Sequence, residues 1–314
     1  MFDLPQTRED FFYILGGGAL CALLFLGSQF YSPLFLIFSN LVQLPLLCLG
    51  LSRGVSSQFY ASVVACLFLC LGSTFLGSIF FSLVSLIPAF ILTTSALAVH
   101  TKREDLGYQH SSGQVLSHLL IYMVGLLIFF MILFQFKSKG ELSYDIFIKD
   151  RLIDMAPDNL KLQYQQGAEI LVRVLPFVFC GAALLTTLLN FFLAQTILVK
   201  NSKNLRSTPL MSDIRLPWWL WIALAIYGLL IFVLPDPGSQ FFLNASLILC
   251  FGFLFEGLSV VHTIHQHFGY RRMFLWLFYF VMVLFVWLIF FVIGLGVFQP
   301  WIKLRERLGS VKES

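Results

Sequence analysis

Glu256 offers the most chemistry in this sequence, because it lies near the middle of an apolar run, 241–265. A carboxyl group at membrane depth is costly, so it marks a functional candidate that could bind a cation, receive a proton or pair with an arginine. Ser259, Thr263 and His267 follow it at helical spacing and share its face, giving a polar stripe that runs toward Arg271 and Arg272. The competing reading is a carboxyl group held by hydrogen bonds from neighbouring helices. Three further polar residues sit within apolar runs. Asn244 lies on the same stretch as Glu256, nearer its start, and an asparagine there serves more often as interhelical glue than as a ligand. Arg173 has Glu169 one turn before it, the spacing of an intrahelical ion pair, and its long side chain can snorkel toward the headgroups. Asn190 follows Thr186 and Thr187 and could line a cavity. The expected substrate-binding set is therefore Arg173, Asn190, Asn244 and Glu256.

Other chemistries find less support. His262 and His265 share a helical face, but no acidic partner stands at the spacing of a zinc hydrolase, so no metal site is expected. Cys66 and Cys70 are one turn apart without a histidine or carboxylate beside them, and all six cysteines lie in apolar stretches as packing residues. There is no phosphate-binding loop, no GxSxG elbow, no HExxH and no paired-carboxylate pattern. No enzymatic activity and no cofactor are expected.

The elements that must position these residues are membrane-spanning helices. Hydrophobic residues make up 59% of the 314 and charged ones 11%, against about 25% charged in a soluble domain; mean hydropathy is +0.87. The 36 Phe and 6 Trp suit lipid-facing and interfacial positions. The expectation is an all-α, polytopic transmembrane bundle forming a single integral membrane domain over 1–314. A span needs about 20 apolar residues, which gives about eight to nine spans: 11–27, 30–50, 58–74, 76–98, 117–136, 168–199, 217–235, 240–265 and 273–299. Pro33 and Pro45 should break the second. The polar insertion 137–166 separates the fifth from the sixth, and its section 141–154 reads equally as a surface-lying amphipathic helix or a solvated loop. In the first span, Gly18 and Ala22 form a small-xxx-small pair that lets a helix approach closely, within the bundle or from a partner subunit.

Residues 1–10 carry Arg8 against Asp3, Glu9 and Asp10, the wrong balance for a signal peptide. Lys and Arg in the short loops orient the chain with its N-terminus in the cytoplasm, placing Arg53, Lys102, Arg103, Lys200, Arg215 and Arg271 inside. Nine crossings would then strand the tail cations Lys303, Arg305, Arg307 and Lys312 outside. One incomplete crossing in the final pair would remove the conflict. No surface suits nucleic acid, since the cations are dispersed among short loops.

Several landmarks resemble a known family. Leu44-Pro45, Gly50, Arg53 and Gly54 are similar to an LP…G.R.G element of YybS-like proteins. Asn244, Glu256-Gly257, His262, Arg272, Gly294, Gly296, Arg305 and Arg307, with the Leu216-Pro217-Trp218 opening, resemble that family's C-terminal half. The family usually has Gln-Gly where this chain has Glu256-Gly257. The resemblance implies a bacterial inner-membrane protein of uncharacterised function. Its N-terminal half would be similar to the S components of energy-coupling factor transporters, small-molecule-binding bundles whose first helix contacts a transmembrane coupling subunit. By that analogy Gly18 and Ala22 would be the partner-helix contact. The functions expected are binding or transport of a small molecule or ion, or alternatively a non-transporting scaffold for other membrane proteins.

Overall fold

The computed structural model describes residues 8–27, 38–106, 112–136, 150–151, 153–154, 160–203, 205, 211–265, 271–304 and 307. Its regular structure is helical throughout those residues: α1 (Arg8–Gly27), α2 (Leu44–Arg53), α3 (Val55–Gly72), α4 (Phe75–Phe81), α5 (Ile87–Leu106), α6 (Ser112–Phe136), α7 (Lys161–Lys200), α8 (Trp219–Val233), α9 (Gly238–His265), α10 (Arg271–Leu284) and α11 (Leu288–Ile302). A π-helical turn, Ser82–Leu86, joins α4 to α5. The all-α, polytopic architecture is as the composition demands. Among the described residues six helical segments are long and apolar enough to cross a membrane, and a seventh results if the bent pair α10–α11 counts as one.

That is fewer than the eight to nine spans the apolar runs suggest, and the differences have local causes. Of the run 30–50, the described part is a short turn followed by the ten-residue α2, which starts at Leu44 with Pro45 in its first turn. The run 217–235 becomes the 15-residue α8, only about 22 Å long at 1.5 Å per residue and short of a 30 Å core. The last run, 273–299, breaks at Phe285–Trp287 and bends there through 118°. In contrast α7 is 40 residues long, about 60 Å, and starts within the stretch expected to be a polar insertion. Most of the proposed amphipathic section 141–154 lies outside the described residues.

The chain divides into two compact units, Met1–Leu119 with Ala183–Asp213, and Leu120–Ala182 with Ile214–Ser314. In the first, α1 packs on α3 about Ile14, Cys21, Ala22, Ala61, Ala65 and Leu69. Gly18 makes the approach possible: a Cβ there would stand 2.5 Å from the Ala61 carbonyl oxygen. Cys21 donates its S–H to the Val42 carbonyl at 3.0 Å, which ties α1 to the turn ahead of α2. Gly54, at φ +94°, separates α2 from α3 in a conformation that a side chain would strain. Arg53 pairs with Asp10 and lies 4.0 Å over the Tyr13 ring, closing one end of the α1–α2–α3 layer.

Proline breaks are served by buried amides. Pro88 lacks the N–H that would reach the Val84 carbonyl, and the π turn just before it adjusts the ladder. Gln43, 2% exposed, donates its Nε2–H to that same carbonyl at 3.4 Å. In the second unit Pro176 interrupts α7. Asn244 of α9 accepts the Phe177 N–H at 2.9 Å and donates to the Arg173 carbonyl at 2.9 Å. Those two groups are the ends of what would otherwise be one i→i−4 bond beside the proline. A neighbouring helix thus satisfies backbone that lipid could not.

The second unit is organised around α9, with α8 and α11 against it. The contact with α11 is nearly backbone to backbone. A Cβ on Gly257 would lie 1.9 Å from the Val292 carbonyl oxygen, and one on Gly296 would lie 2.0 Å from that of Phe253. Trp221 of α8 sits edge-on to Phe253 at 5.0 Å between centroids and donates its indole N–H to the Val297 carbonyl at 2.7 Å.

Candidate functional site

The polar stripe of α9 meets a non-helical segment, 214–217, whose backbone needs external partners because it makes no ladder of its own. Glu256 accepts the Leu216 N–H on Oε2 at 2.8 Å, and Ser259 donates its hydroxyl to the Ile214 carbonyl at 3.2 Å. One turn further on, Thr263 donates to the Ser259 carbonyl at 2.9 Å. Three residues of one helical face therefore act in series, the first two clamping the strand-like entry into α8. Pro217 then supplies the fixed φ from which Trp218 and Trp219 start that helix.

Glu256 is 3% exposed and forms part of the wall of a cavity of about 480 Å³. Arg215, Leu216, Trp218, Trp221 and Ile222 contribute from the α8 side, and Gln299, Pro300, Trp301 and Lys303 from the end of α11. The end of α11 is shaped by Lys303, whose left-handed backbone (φ +51°) stops the helix while its N–H bonds the Gln299 carbonyl. The Gln299 Oε1 atom is buried and accepts no hydrogen bond. The Trp221 N–H is occupied by Val297, leaving that ring to offer its face and edge. Among the described residues the lining carries mixed charge, two cations and one carboxylate. The cavity can therefore hold a polar group at its charged lining and an apolar group against its indoles.

Within the second unit, the residues expected to bind substrate do not converge. Glu256 lines the cavity, whereas Asn244 is fully buried and spent on the Pro176 break. Arg173 lies 3.7 Å from Asp236, ahead of α9, with both side chains more than half exposed. That contact, rather than the expected pair with Glu169, is its ionic partner. Asn190 belongs to the first unit, where its Nδ2 donates to the Asn40 and Thr186 carbonyls at 2.7 Å each. Gly18 and Ala22 are likewise in the first unit, buried against α3 of the same chain. The histidine run is split: His262 Nε2 bonds the Tyr279 hydroxyl at 2.9 Å, His265 bonds the His262 carbonyl, and His267 lies outside the described residues. Among the described residues no three His, Cys, Asp or Glu side chains are placed to share a metal ion.

Arg215, Trp221, Gln299, Trp301 and Lys303 are the site residues that pattern reading missed. Their signals were present but ambiguous: a cation two residues before Pro217, and Gln-Pro-Trp closing the last apolar run. Each is ordinary at a helix end near a headgroup layer. Only their meeting makes a site.

Fold and cavity together define a polytopic α-helical membrane protein. Over residues 19–299 the chain matches the family described as Predicted membrane protein (DUF2232), and it belongs to that family. No curated protein and no solved structure matches it.

Proposed function

We propose that this protein binds a small molecule in the cavity between the start of α8 and the end of α11, and takes part in its uptake across a bacterial inner membrane. The observation that carries the reading is the cavity itself, about 480 Å³ and walled by Glu256, Arg215, Gln299 and Lys303 on indole rings. Ligand sites characteristically combine an apolar lining with a few convergent polar groups in about 300–1,000 Å³. A carboxylate, two cations and an amide set among indole rings in the described lining suit binding of a polar group with an apolar part. The YybS-like resemblance, with its S-component-like N-terminal half, also favours a small-molecule role. It concerns the first unit, however, while the cavity is in the second, so the two supports are independent. By the Lys and Arg distribution, the N-terminus and the end of the second unit bearing Arg215 face the cytoplasm.

The test is native mass spectrometry of the full chain released from a mild detergent. A bound small molecule is expected on the native protein and is expected to vanish in Ile222→Trp, which fills the rim from an exposed position. A protein that carries no adduct after purification or after exposure to a membrane extract overturns the reading.

A scaffold role has one observation in its favour. On α10, Trp276, Phe280 and Val283 are 79%, 61% and 75% exposed, a face that either lipid or another membrane protein can cover. Gly18→Leu cannot probe partner docking, because its side chain would collide with Ala61 inside the first unit.

A further inference from the structure

We propose that the ligand of this cavity is an anionic amphiphile with a hydroxyl-bearing phosphate headgroup, of the phosphoglycerol type, whose acyl part leaves across the tryptophan rim. The inference rests on the reading of the cavity as a binding site. Four features of the lining select the class. First, among the described residues of the lining Arg215 and Lys303 stand with one carboxylate, Glu256, whose Oε2 atom accepts the Leu216 N–H. An acidic headgroup is therefore attracted, whereas an amine or a quaternary ammonium would meet two like charges. An arginine beside a lysine is also the usual pairing for phosphate, the guanidinium for geometry and the ammonium for charge.

Second, the buried Gln299 Oε1 lacks a donor. A phosphate diester brings none, so the headgroup must carry a hydroxyl to satisfy it. Third, the rim is made by Trp218 and Trp301, 73% and 66% exposed, with Ile222 at 47%. These side chains offer apolar contact, and exposed indole N–H groups can reach water or headgroup oxygens at the depth where indoles settle in a bilayer. Fourth, about 480 Å³ accommodates a headgroup and the first part of a chain but not a whole two-chain lipid, so the tails must lie outside along the rim.

The experiment uses the full-length protein, delipidated in a neutral detergent and titrated by native mass spectrometry. The probes are phosphatidylglycerol, phosphatidylcholine and soluble glycerol 3-phosphate. Phosphatidylglycerol is expected to bind at least tenfold more tightly than either of the others. Arg215→Gln with Lys303→Gln should cut that affinity tenfold or more, with a native-like helical circular-dichroism spectrum as the check that the double variant is folded. Gln299→Leu should weaken it severalfold. Phosphatidylcholine binding as tightly as phosphatidylglycerol overturns the acid selectivity, and equally tight glycerol 3-phosphate overturns the amphiphile. An unchanged affinity in the double variant places the lipid elsewhere and also overturns the proposal. Should a different, neutral molecule be retained and then lost in Ile222→Trp, the headgroup class fails while the binding-site reading survives. If nothing is retained at all, both fall.

Discussion

Glu256 carries two burdens that its substitutions can separate. As a hydrogen-bond acceptor it holds the Leu216 N–H at 2.8 Å, and as an anion it offsets part of the charge of Arg215 and Lys303 around the cavity. Glu256→Gln keeps an acceptor oxygen and should leave the unfolding midpoint in detergent within a degree or two of the native value. Glu256→Leu strands a buried backbone donor and should cost about 1–3 kcal/mol, read as a clear drop in the midpoint. If Gln destabilises as much as Leu, the charge rather than the acceptor holds the segment. A tolerated Gln would show that an amide oxygen receives the Leu216 N–H as well as a carboxylate does.

At the scale of elements, helix approach and helix interruption are governed by different residues. The α9–α11 contact depends on Gly257 and Gly296, where a methyl group would strike main-chain oxygen rather than a side chain that could move aside. Gly257→Ala is expected to destabilise the protein by about 1–3 kcal/mol, as overpacking does. Gly294→Ala, with nothing within 4 Å of its Cβ, should be neutral or slightly stabilising because alanine favours helix. Equal unfolding midpoints for the two variants would refute the close approach. The Pro176 break makes a second case. Asn244→Leu leaves the Phe177 N–H and the Arg173 carbonyl without their bridging partner and should cost about 1–2 kcal/mol. In a Pro176→Ala background the helix can close its own ladder, so the same change should cost much less. Strict additivity in that double-mutant cycle would show that the amide and the proline are unrelated.

For the whole molecule, the turn between α10 and α11 decides sidedness in the second unit. A single crossing by residues 273–299 would carry Lys303 away from Arg215, which is the conflict raised by the charge distribution. The chain bends by 118° between α10 and α11, and Arg215 and Lys303 line one cavity. Single cysteines at these two positions, in a background with the six native cysteines replaced, should therefore react with an impermeant maleimide from the same face of sealed vesicles. Labelling from opposite faces would mean that the last pair crosses and that the cavity is misassembled.

Composition alone establishes that this chain is a helical membrane protein, because so few charges leave no water-facing surface for a soluble core of this length. Apolar run length also locates most of the helices, and the burial of Glu256 and Asn244 was legible from their depth within such runs. What hydropathy could not do was tell a crossing from a helix that stops or turns back. The bend at Phe285–Trp287 occurs without a polar residue to mark it, and lipid-compatible side chains look alike in either geometry. Nor could the sequence say where each buried polar group finds its partner: Asn244 serves a proline break 68 positions earlier in the chain, and Glu256 serves a segment 40 positions away. Only tertiary structure decides those pairings, because a hydrogen bond is satisfied by proximity in space. For the same reason Arg215 and Lys303, ordinary loop cations when read in order, become one site only when α11 ends beside the start of α8.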